Sequence, residues 1–455
     1  MFKKYKHIHF VGIGGIGMSG IAEVLINLGY RVSGSDVKRG ETTRRLKRLG
    51  AKIYYDHKRY NIEGSHVVVV SSAVKETNPE VKEARKLGIA VVPRAEMLAE
   101  LMRLKYGVAV AGTHGKTSTT SIIGHLLDYA KFDPTVIIGG KVNNLRSNAR
   151  LGKGKFLVAE ADESDGSFLK LAPTIGVITN IDPEHMENYQ SFNDLKRAFV
   201  EFANKVPFYG AVVACASHPT VRKIIPYVTR PIITYGDRDA DYTARKITQD
   251  GDKLKFEAVY AGELLGEVSL RMTGAHNALN ALAAIAVGRH LDIPFSTIKS
   301  ALKGFKGVVR RFQVLSKVGP IVVDDYAHHP VEIKATIDAA KSGWPTRRIV
   351  SVVQPHRYSR LANLFDDFVT SVKDADAVVV MDVYAAGERP RRNHTGERLW
   401  REMCKKYPKK MIAFAPTTQE VQSTLAPWCT KEDLILFMGA GSITMTAKIC
   451  SKSLT

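Results

Sequence analysis

The chain has 455 residues, of which 45% are hydrophobic, and this length predicts about three domains with ordinary globular cores. Its formal net charge of +21 favours an anionic partner, such as a nucleic acid, a phosphate-rich metabolite or a membrane surface. The basic residues are spread along the chain without the aromatic-interleaved motif of a nucleic-acid module, so we expect no nucleic acid partner. No stretch is apolar enough to span a bilayer, and four widely spaced cysteines fit a reducing compartment, which predicts a cytoplasmic protein.

A predicted strand near the N-terminus runs into the turn Gly12-Ile13-Gly14-Gly15-Ile16-Gly17 and then a helix. A second strand ends in Asp36, nineteen positions after Gly17. Such glycines permit a tight turn and the close approach of a diphosphate, and the acid can bind a ribose hydroxyl. The motif predicts a Rossmann-like domain whose ligand is NAD or a UDP-sugar, so an NAD(P)-dependent oxidoreductase stays an alternative. Ser71 and Ser72 end another predicted strand, where ligands bind in open α/β sheets.

A second glycine-bearing turn, Gly112-Thr113-His114-Gly115-Lys116-Thr117-Ser118, lies between a predicted buried strand and a predicted helix. In this arrangement backbone N–H groups and the helix N-terminus face a polyphosphate. The lysine neutralises phosphate oxygens, and the threonine hydroxyl reaches Mg²⁺. The turn is a variant of the standard pattern, because Val110 stands where the first glycine is usual. It predicts a site for ATP and Mg²⁺, and we call residues 112–118 the phosphate loop.

Acidic residues follow the next predicted strand, which ends at Glu160. An acid in this place holds Mg²⁺ opposite a phosphate loop, and Glu160 is favoured as the first acid after the strand. We expect Glu163 and Asp165 to be loop acids that face water. His185 follows a further strand and can ligate a metal or orient a phosphate.

Short alternating runs predict a β-rich attachment over residues 205–272, and a helix follows it. Asn277 and Asn280 lie three residues apart near the start of this helix and therefore share a face. Two amides on one face suit adenine or phosphate recognition, whereas N-capping explains one asparagine but not both.

The C-terminal part of the chain has predicted strands that each end in a polar cluster. These clusters begin at Asp324, Gln354, Asp382 and Gly439. Their shared position at the carboxyl ends of strands predicts a ligand site. Arg357 and Arg360 can grip a carboxylate in bidentate fashion.

Taken together, these motifs resemble the Mur ligase family of cell-wall synthesis over essentially the whole chain. The resemblance rests on residues 12–20, 112–117, 160–165, 276–280, 310–312, 324–330, 354–360 and 382–388. It implies a three-domain α/β fold. Residues 1–105 would be a Rossmann-like domain for UDP-N-acetylmuramic acid. Residues 106–312 would be an ATPase-like domain for ATP and Mg²⁺, with a mostly parallel sheet and a small β attachment. Residues 313–455 would be a Rossmann-like domain for the amino acid.

The resemblance also implies roles for single residues. In the central domain, Lys116 would hold ATP phosphates, Thr117 and Glu160 one Mg²⁺, and His185 would lie at a second metal site whose other ligands stay open. The catalytic set would be completed by groups that contact the nucleotide, namely Asn277, Asn280, Arg311 and Asp325. The alanine carboxylate would bind Arg357 and Arg360, in a pocket lined by Tyr326, His328 and His356.

The reaction implied by the resemblance joins L-alanine to the lactyl carboxylate of UDP-N-acetylmuramic acid through an acyl phosphate made from ATP. A neutral His328 is our hypothesis for the base that deprotonates the amine. A related ligase that adds another amino acid or a peptide stays an alternative, and we expect a monomer or a weak homodimer.

Overall fold

The computed structural model describes residues 5–71, 73–138, 149–184, 186 and 188–454, without the side chains of Ile16 and Ala149. The chain divides into two compact units. One comprises residues up to 246, 256–268 and 279–305, and the other comprises residues 247–255, 269–278 and those from 306 onward. Ser72 and His185, both predicted to bind ligands, lie outside the described residues, so their roles stay predictions. The same holds for the side chain of Ile16.

The first unit begins with a parallel sheet in the strand order β3-β2-β1-β4-β5. Its strands are β1 (His7–Val11), β2 (Arg31–Ser35), β3 (Lys52–Tyr54), β4 (Val67–Val70) and β5 (Ala90–Pro93). Its helices are α1 (Ile16–Asn27), α2 (Glu41–Arg48), α3 (Pro79–Lys86) and α4 (Arg94–Met102). The register pairs the last residues of β2, β1, β4 and β5 with one another. The residues that follow these four strands therefore share one edge of the sheet.

A second sheet has the strand order β15-β14-β13-β12-β11-β10-β6-β9-β7-β8. Its strands are β6 (Tyr106–Ala111), β7 (Thr135–Ile137), β8 (Ala149–Arg150), β9 (Phe156–Ala161), β10 (Ile175–Ile178), β11 (Ala211–Cys215), β12 (Ile232–Gly236), β13 (Tyr242–Asp250), β14 (Lys253–Tyr260) and β15 (Glu263–Leu270). The accompanying helices are α5 (Lys116–Tyr129), α6 (Phe192–Asn204), α7 (Pro219–Ile224), α8 (His276–His290) and α9 (Phe295–Gly304). The predicted β-rich segment corresponds to β11–β15 and extends this sheet at one side, with α7 inserted between the parallel strands β11 and β12.

Within the first unit, a continuous hydrophobic core joins the first sheet to the central strands of the second sheet. It includes Phe10 of the first sheet, Met97 of α4, and Phe168 and Phe199 next to the second sheet. Strand β6 is buried from residue 107 onward because its small apolar side chains are covered on both faces, as is usual for central parallel strands. Helix α4 therefore packs directly on the part of the chain that follows β9.

The second unit contains a sheet in the order β16-β17-β21-β18-β19-β20, with β16 antiparallel to β17. Its strands are β16 (Gln313–Ser316), β17 (Ile321–Asp325), β18 (Arg348–Val353), β19 (Ala377–Val380), β20 (Met411–Phe414) and β21 (Asp433–Met438). Its helices are α10 (Pro330–Gly343), α11 (Tyr358–Asn363), α12 (Phe365–Ser371), α13 (Gly396–Lys406), α14 (Thr418–Trp428) and α15 (Ile443–Ser453). The register pairs the last residues of β17, β21, β18 and β19, so the predicted polar clusters share one edge. Within the described ranges, no helix has the length and apolarity needed to cross a bilayer.

Candidate active site

The first glycine turn is held in place by the end of β2. Gly12 has a φ of +80°, a conformation that favours glycine, and its N–H donates to the Ser35 carbonyl at 2.8 Å. The Gly14 N–H donates to Asp36 Oδ2 at 2.9 Å, and a Cβ on Gly14 would lie only 2.7 Å from that oxygen. Asp36 therefore fixes the turn itself, and its predicted contact with a ribose stays a prediction.

The turn leaves the start of α1 suited to an anion. Helix α1 has no acidic residue in its first turn, and its N-cap residue Gly15 offers no side chain to the helix N–H groups. Such an N-terminus attracts phosphate. The Ser71 hydroxyl oxygen lies 3.4 Å from the place of a Cβ on Gly12 and so belongs to the same edge.

The phosphate loop is shaped by two glycines and by the residues after β10. Gly112 has a φ of +137° and Gly115 a φ of +80°. A Cβ on Gly112 would lie 2.0 Å from the Thr179 hydroxyl oxygen, so this close approach requires glycine. Asn180 accepts the His114 N–H at 2.7 Å, and its amide donates to the His114 carbonyl at 3.0 Å. Sequence reasoning missed Asn180, although its place directly after a buried strand was a usable signal.

Lys116 is buried beside Glu163, an acid that was expected to face water. Its Nζ lies 2.8 and 3.0 Å from the two carboxylate oxygens of Glu163, which is 2% exposed. The expectation that Glu163 faces water is wrong, because a buried ammonium requires a counter-charge. Asp165 is exposed as expected. Burial opposes the charge of Lys116, but the carboxylates of Glu163, Asp162 and Glu160 outweigh burial and raise its pKa.

The loop offers suitable ligands for Mg²⁺. Glu160 pairs with Val110 in the register of β9 and β6, so it stands beside the strand that leads into the loop. Thr117 lies in the first turn of α5. A hydroxyl and a carboxylate are the oxygen ligands that Mg²⁺ prefers, and the residue after Glu160 pairs with Ala111, directly before the loop. The donor set therefore fits the predicted metal.

The side chain of His114 adds an imidazole beside two acids of the same unit. Its Nε2 lies 3.7 Å from Asp182 Oδ2 and 3.5 Å from Glu184 Oε1. Asp182 Oδ1 in turn lies 3.2 Å from Nε2 of His218. These groups follow β10 and β11 and line the side of the phosphate loop.

The two asparagines of α8 have different surroundings. Asn280 Oδ1 accepts from the Thr119 hydroxyl at 3.1 Å and lies 2.9 Å from the place of a Cβ on Gly115. It therefore touches the phosphate loop. The amide of Asn277 donates to the Thr273 carbonyl at 2.8 Å, which stabilises the start of the helix. Its predicted contact with a nucleotide stays a prediction.

In the second unit, Asp325 anchors the segment before β16. Its carboxylate accepts the N–H groups of Phe312 and Ala327, both at 2.7 Å. Burial raises the pKa of Asp325 to about 6, against the opposing effects of Arg311 and these two N–H groups. Arg311 is thereby held at the end of β17, where its guanidinium carbon lies 5.4 Å from the centre of the Tyr326 ring.

Four rings lie next to one another beyond β17 and β18. The centre of the His328 ring is 5.1 Å from that of Tyr326 and 5.9 Å from that of His356. His356 stacks on Tyr384 with centres 5.6 Å apart. Nδ1 of His328 lies 3.0 Å from the Tyr326 carbonyl and so leaves Nε2 for a ligand.

Burial, followed by the charges of His328, Arg360 and Arg357, lowers the pKa of His356 to about 4, so His356 is neutral at pH 7.

The two arginines are positioned by a third strand end. Arg357 has a φ of +71°, and its N–H donates to the Tyr384 carbonyl at 2.9 Å. Arg360 Nη1 lies 3.4 Å from His356 Nδ1.

Glu388 accepts the N–H of Ser359 at 2.9 Å and its hydroxyl at 2.5 Å, which fixes the start of α11. Glu388 belongs to the motif 382–388, but no individual role was predicted for it, since its partner Ser359 is 29 positions away. We call the set Asp325, Tyr326, His328, His356, Arg357 and Arg360 the strand-end cluster.

The chain matches the models of one family almost from end to end. The Mur ligase family catalytic domain matches residues 7–106, the Mur ligase middle domain residues 110–288, and the Mur ligase glutamate ligase domain residues 310–441. A parallel sheet behind a glycine turn, a phosphate loop with a buried lysine, and a third sheet with arginines at its edge agree with this match. The chain belongs to the Mur ligase family and has its three-domain α/β fold.

Curated relatives narrow the comparison to one branch of the family. The UDP-N-acetylmuramate–L-alanine ligase of Pelobacter propionicus is 53% identical over 446 residues, which cover 97% of each chain. The ligase of the same name from Geobacter sulfurreducens is 52% identical over 446 residues, covering 97% of this chain and 96% of the relative. The crystal structure of UDP-N-acetylmuramate–alanine ligase from Thermotoga maritima has a TM-score of 0.84 at 30% identity and covers 98% of each chain.

Proposed function

We propose that this protein joins L-alanine to the lactyl carboxylate of UDP-N-acetylmuramic acid in peptidoglycan synthesis, with ATP converted to ADP and phosphate. The substrate assignment is carried by the 53% identity to a ligase of that name over 97% of both chains. The energy source is supported by the phosphate loop, where Lys116 is a charged group held next to the turn.

We assign the substrates to the three predicted domains. UDP-N-acetylmuramic acid binds residues 1–105, ATP and Mg²⁺ bind residues 106–312, and alanine binds residues 313–455. When bound, Mg²⁺ would be held by Thr117 and Glu160, with His185 at a second position, and would neutralise charge on the triphosphate. Asn277, Asn280, Arg311 and Asp325 are proposed to contact the nucleotide.

In the first step, an oxygen of the lactyl carboxylate forms a bond to the γ-phosphorus of ATP, and ADP leaves. Lys116 stabilises the charge that the transferred phosphoryl group carries. A carboxylate is a poor electrophile, and this step gives its carbon a good leaving group. The product is an acyl phosphate bound to the nucleotide sugar.

In the second step, the alanine nitrogen attacks the carbonyl carbon of the acyl phosphate, and phosphate leaves. Arg357 and Arg360 hold the alanine carboxylate by charge-assisted hydrogen bonds. Nε2 of His328 is the base that takes the proton from the amine, since Nδ1 faces the Tyr326 carbonyl. We expect the reaction in the cytoplasm, where ATP is supplied, and we expect a monomer or a weak homodimer.

The test is to incubate the protein with ATP, Mg²⁺ and UDP-N-acetylmuramic acid, to add single amino acids or a short peptide in turn, and to measure phosphate and product mass. We expect phosphate release to be fastest with L-alanine and the product to carry one added alanine. Faster release with another amino acid or with a peptide would indicate a related ligase. Release that does not depend on any added amine would contradict the proposal.

A further inference from the structure

An arginine stands at the edge of the first sheet where the nucleotide sugar is proposed to bind. The register aligns the ends of β1, β4 and β5. Arg94, the first residue of α4, therefore follows its strand at the same edge as Gly12 and Ser71. Ligands of open parallel sheets bind outside these strand ends.

The guanidinium of Arg94 packs on the first turn of α1. A Cβ added to Gly17 would lie 2.8 Å from Nη1 and 3.3 Å from Cζ of Arg94, distances that only a shift of the arginine would relieve. Glycine is unfavourable inside a helix, and Gly17 has no positive φ that would require it. The third glycine of the motif therefore makes room for the guanidinium beside the N-terminus of α1.

Most of the N–H groups of this guanidinium are uncommitted. Arg94 Nη2 lies 3.6 Å from Asp162 Oδ2, which is longer than a hydrogen bond. Across the described ranges, no other ion pair and no hydrogen bond of the Arg94 side chain is found. An arginine carries five N–H donors, and this side chain is 26% exposed. Donors are thus available to a ligand that approaches from solvent.

Asp162 links Arg94 to the phosphate loop. It directly follows Ala161, the last residue of β9, which pairs with Ala111, the residue directly before the phosphate loop. Arg94 therefore touches the glycine turn through Gly17 and the ATP side of the unit through Asp162. In the proposed reaction, the carboxylate of the nucleotide sugar bound at the glycine turn meets ATP bound at the phosphate loop.

We propose that Arg94 binds an oxyanion of the nucleotide sugar, through N–H groups that its contact with Asp162 leaves open. This inference rests on the proposed function and extends it to a residue outside the sequence motifs. The oxyanion is a diphosphate oxygen or the lactyl carboxylate, and both accept charge-assisted hydrogen bonds from a guanidinium. A partly exposed ion pair contributes little to stability, so loss of the Arg94–Asp162 pair alone should leave ligand affinity nearly unchanged.

The test is calorimetric titration of the full-length protein and its Arg94→Gln and Arg94→Lys variants with three ligands. The ligands are UDP-N-acetylmuramic acid, UDP-N-acetylglucosamine, which lacks the lactyl group, and UDP. We expect Arg94→Gln to weaken binding of UDP-N-acetylmuramic acid by about tenfold or more, and Arg94→Lys to weaken it less. If all three ligands lose affinity, the diphosphate is the partner. If only UDP-N-acetylmuramic acid does, the carboxylate is the partner.

Two further variants separate ligand contact from a structural role. Arg85→Gln removes an arginine of the same domain that is 61% exposed and pairs with Glu76, and we expect it to bind like the wild type. Asp162→Asn breaks the ion pair but keeps the guanidinium, and we expect no loss of affinity for UDP-N-acetylmuramic acid. In steady-state assays, Arg94→Gln should raise the KM for this substrate and leave the KM for ATP unchanged.

The inference is overturned if Arg94→Gln binds UDP-N-acetylmuramic acid as tightly as Arg85→Gln does, or if Asp162→Asn loses affinity to the same extent. Should Arg94→Gln not fold, Arg94→Lys and Asp162→Asn give the same decision, with unchanged affinity in the former counting against the inference. A wild-type protein that binds none of the three ligands would reject the proposed function itself. The wild-type titration alone distinguishes these failures.

Discussion

The phosphate loop of the first unit and the strand-end cluster of the second unit are built in different ways. The loop is one contiguous segment whose charged group, Lys116, is held by a single buried acid, Glu163. The cluster gathers side chains from several strand ends, and Asp325, His356 and Glu388 each fix a different part of it. A contiguous site depends on one group, whereas a gathered site divides its function among several. We therefore expect a single substitution of Lys116 to abolish the function of the phosphate loop. Single substitutions in the strand-end cluster should each reduce its function only in part.

The largest effect is expected for Lys116→Ala. Removal of the ammonium leaves both Glu163 and the transferred phosphoryl charge uncompensated, so kcat for phosphate release should fall by roughly a thousandfold or more. Lys155→Ala is the control, because Lys155 is an exposed lysine of the same unit. If kcat for phosphate release in Lys116→Ala were within tenfold of that in Lys155→Ala, the function of the loop would not depend on Lys116 alone.

The pH dependence of the free energy of unfolding tests whether Asp325 anchors the strand-end cluster. Burial raises its pKa from 3.8 to about 6, so the folded protein binds more protons than the unfolded chain between these values. The stability from this group is present below about pH 4 and is lost as the pH rises through about 6, a change of about 3 kcal/mol. Urea unfolding at pH 4 and pH 7 should show a smaller loss for Asp325→Asn than for the wild type. Equal losses would contradict the assignment.

An intermediate effect is expected for Arg360→Ala. One arm of the proposed carboxylate grip is lost while Arg357 remains, so the KM for L-alanine should rise by roughly a hundredfold. The KM for ATP should not change. Arg401→Ala is the matched control, since Arg401 is 63% exposed and pairs with Glu397. A similar rise in the KM for ATP would argue against a role confined to the amino acid.

The smallest effect is expected for Glu388→Ala, because Glu388 acts through Ser359 and does not touch the substrate. Loss of its two hydrogen bonds loosens the start of α11, and the KM for L-alanine should rise by roughly tenfold with kcat nearly unchanged. Glu388→Gln, which keeps an acceptor, should recover part of the affinity. An equal KM for L-alanine in Glu388→Ala and Glu397→Ala would show that Glu388 does not position the start of α11 for substrate binding.

The same contrast explains which parts of the molecule could be predicted from the sequence. The phosphate loop is contiguous, so its residue types and spacing indicate its chemistry directly. The strand-end cluster was expected in outline, because parallel strands place their carboxyl ends at one edge. The contacts that join distant segments were missed. Glu163 was wrongly expected to face water. Its partner Lys116 lies 47 residues away, and the spacing of residues in the sequence does not indicate a contact over that distance. Glu388 was given no role for the same reason.

Hydroxylamine trapping in the absence of alanine separates the two sites most directly, because hydroxylamine captures an acyl phosphate as a stable hydroxamate. The protein, Lys116→Ala and Arg360→Ala would each be incubated with ATP, Mg²⁺, UDP-N-acetylmuramic acid and hydroxylamine. We predict that Arg360→Ala forms the hydroxamate at a rate close to that of the wild type, although it ligates alanine poorly, and that Lys116→Ala forms none. Equal loss of hydroxamate in both variants, or its retention in Lys116→Ala, would contradict an account in which the phosphate loop activates the carboxylate and the strand-end cluster binds the amino acid.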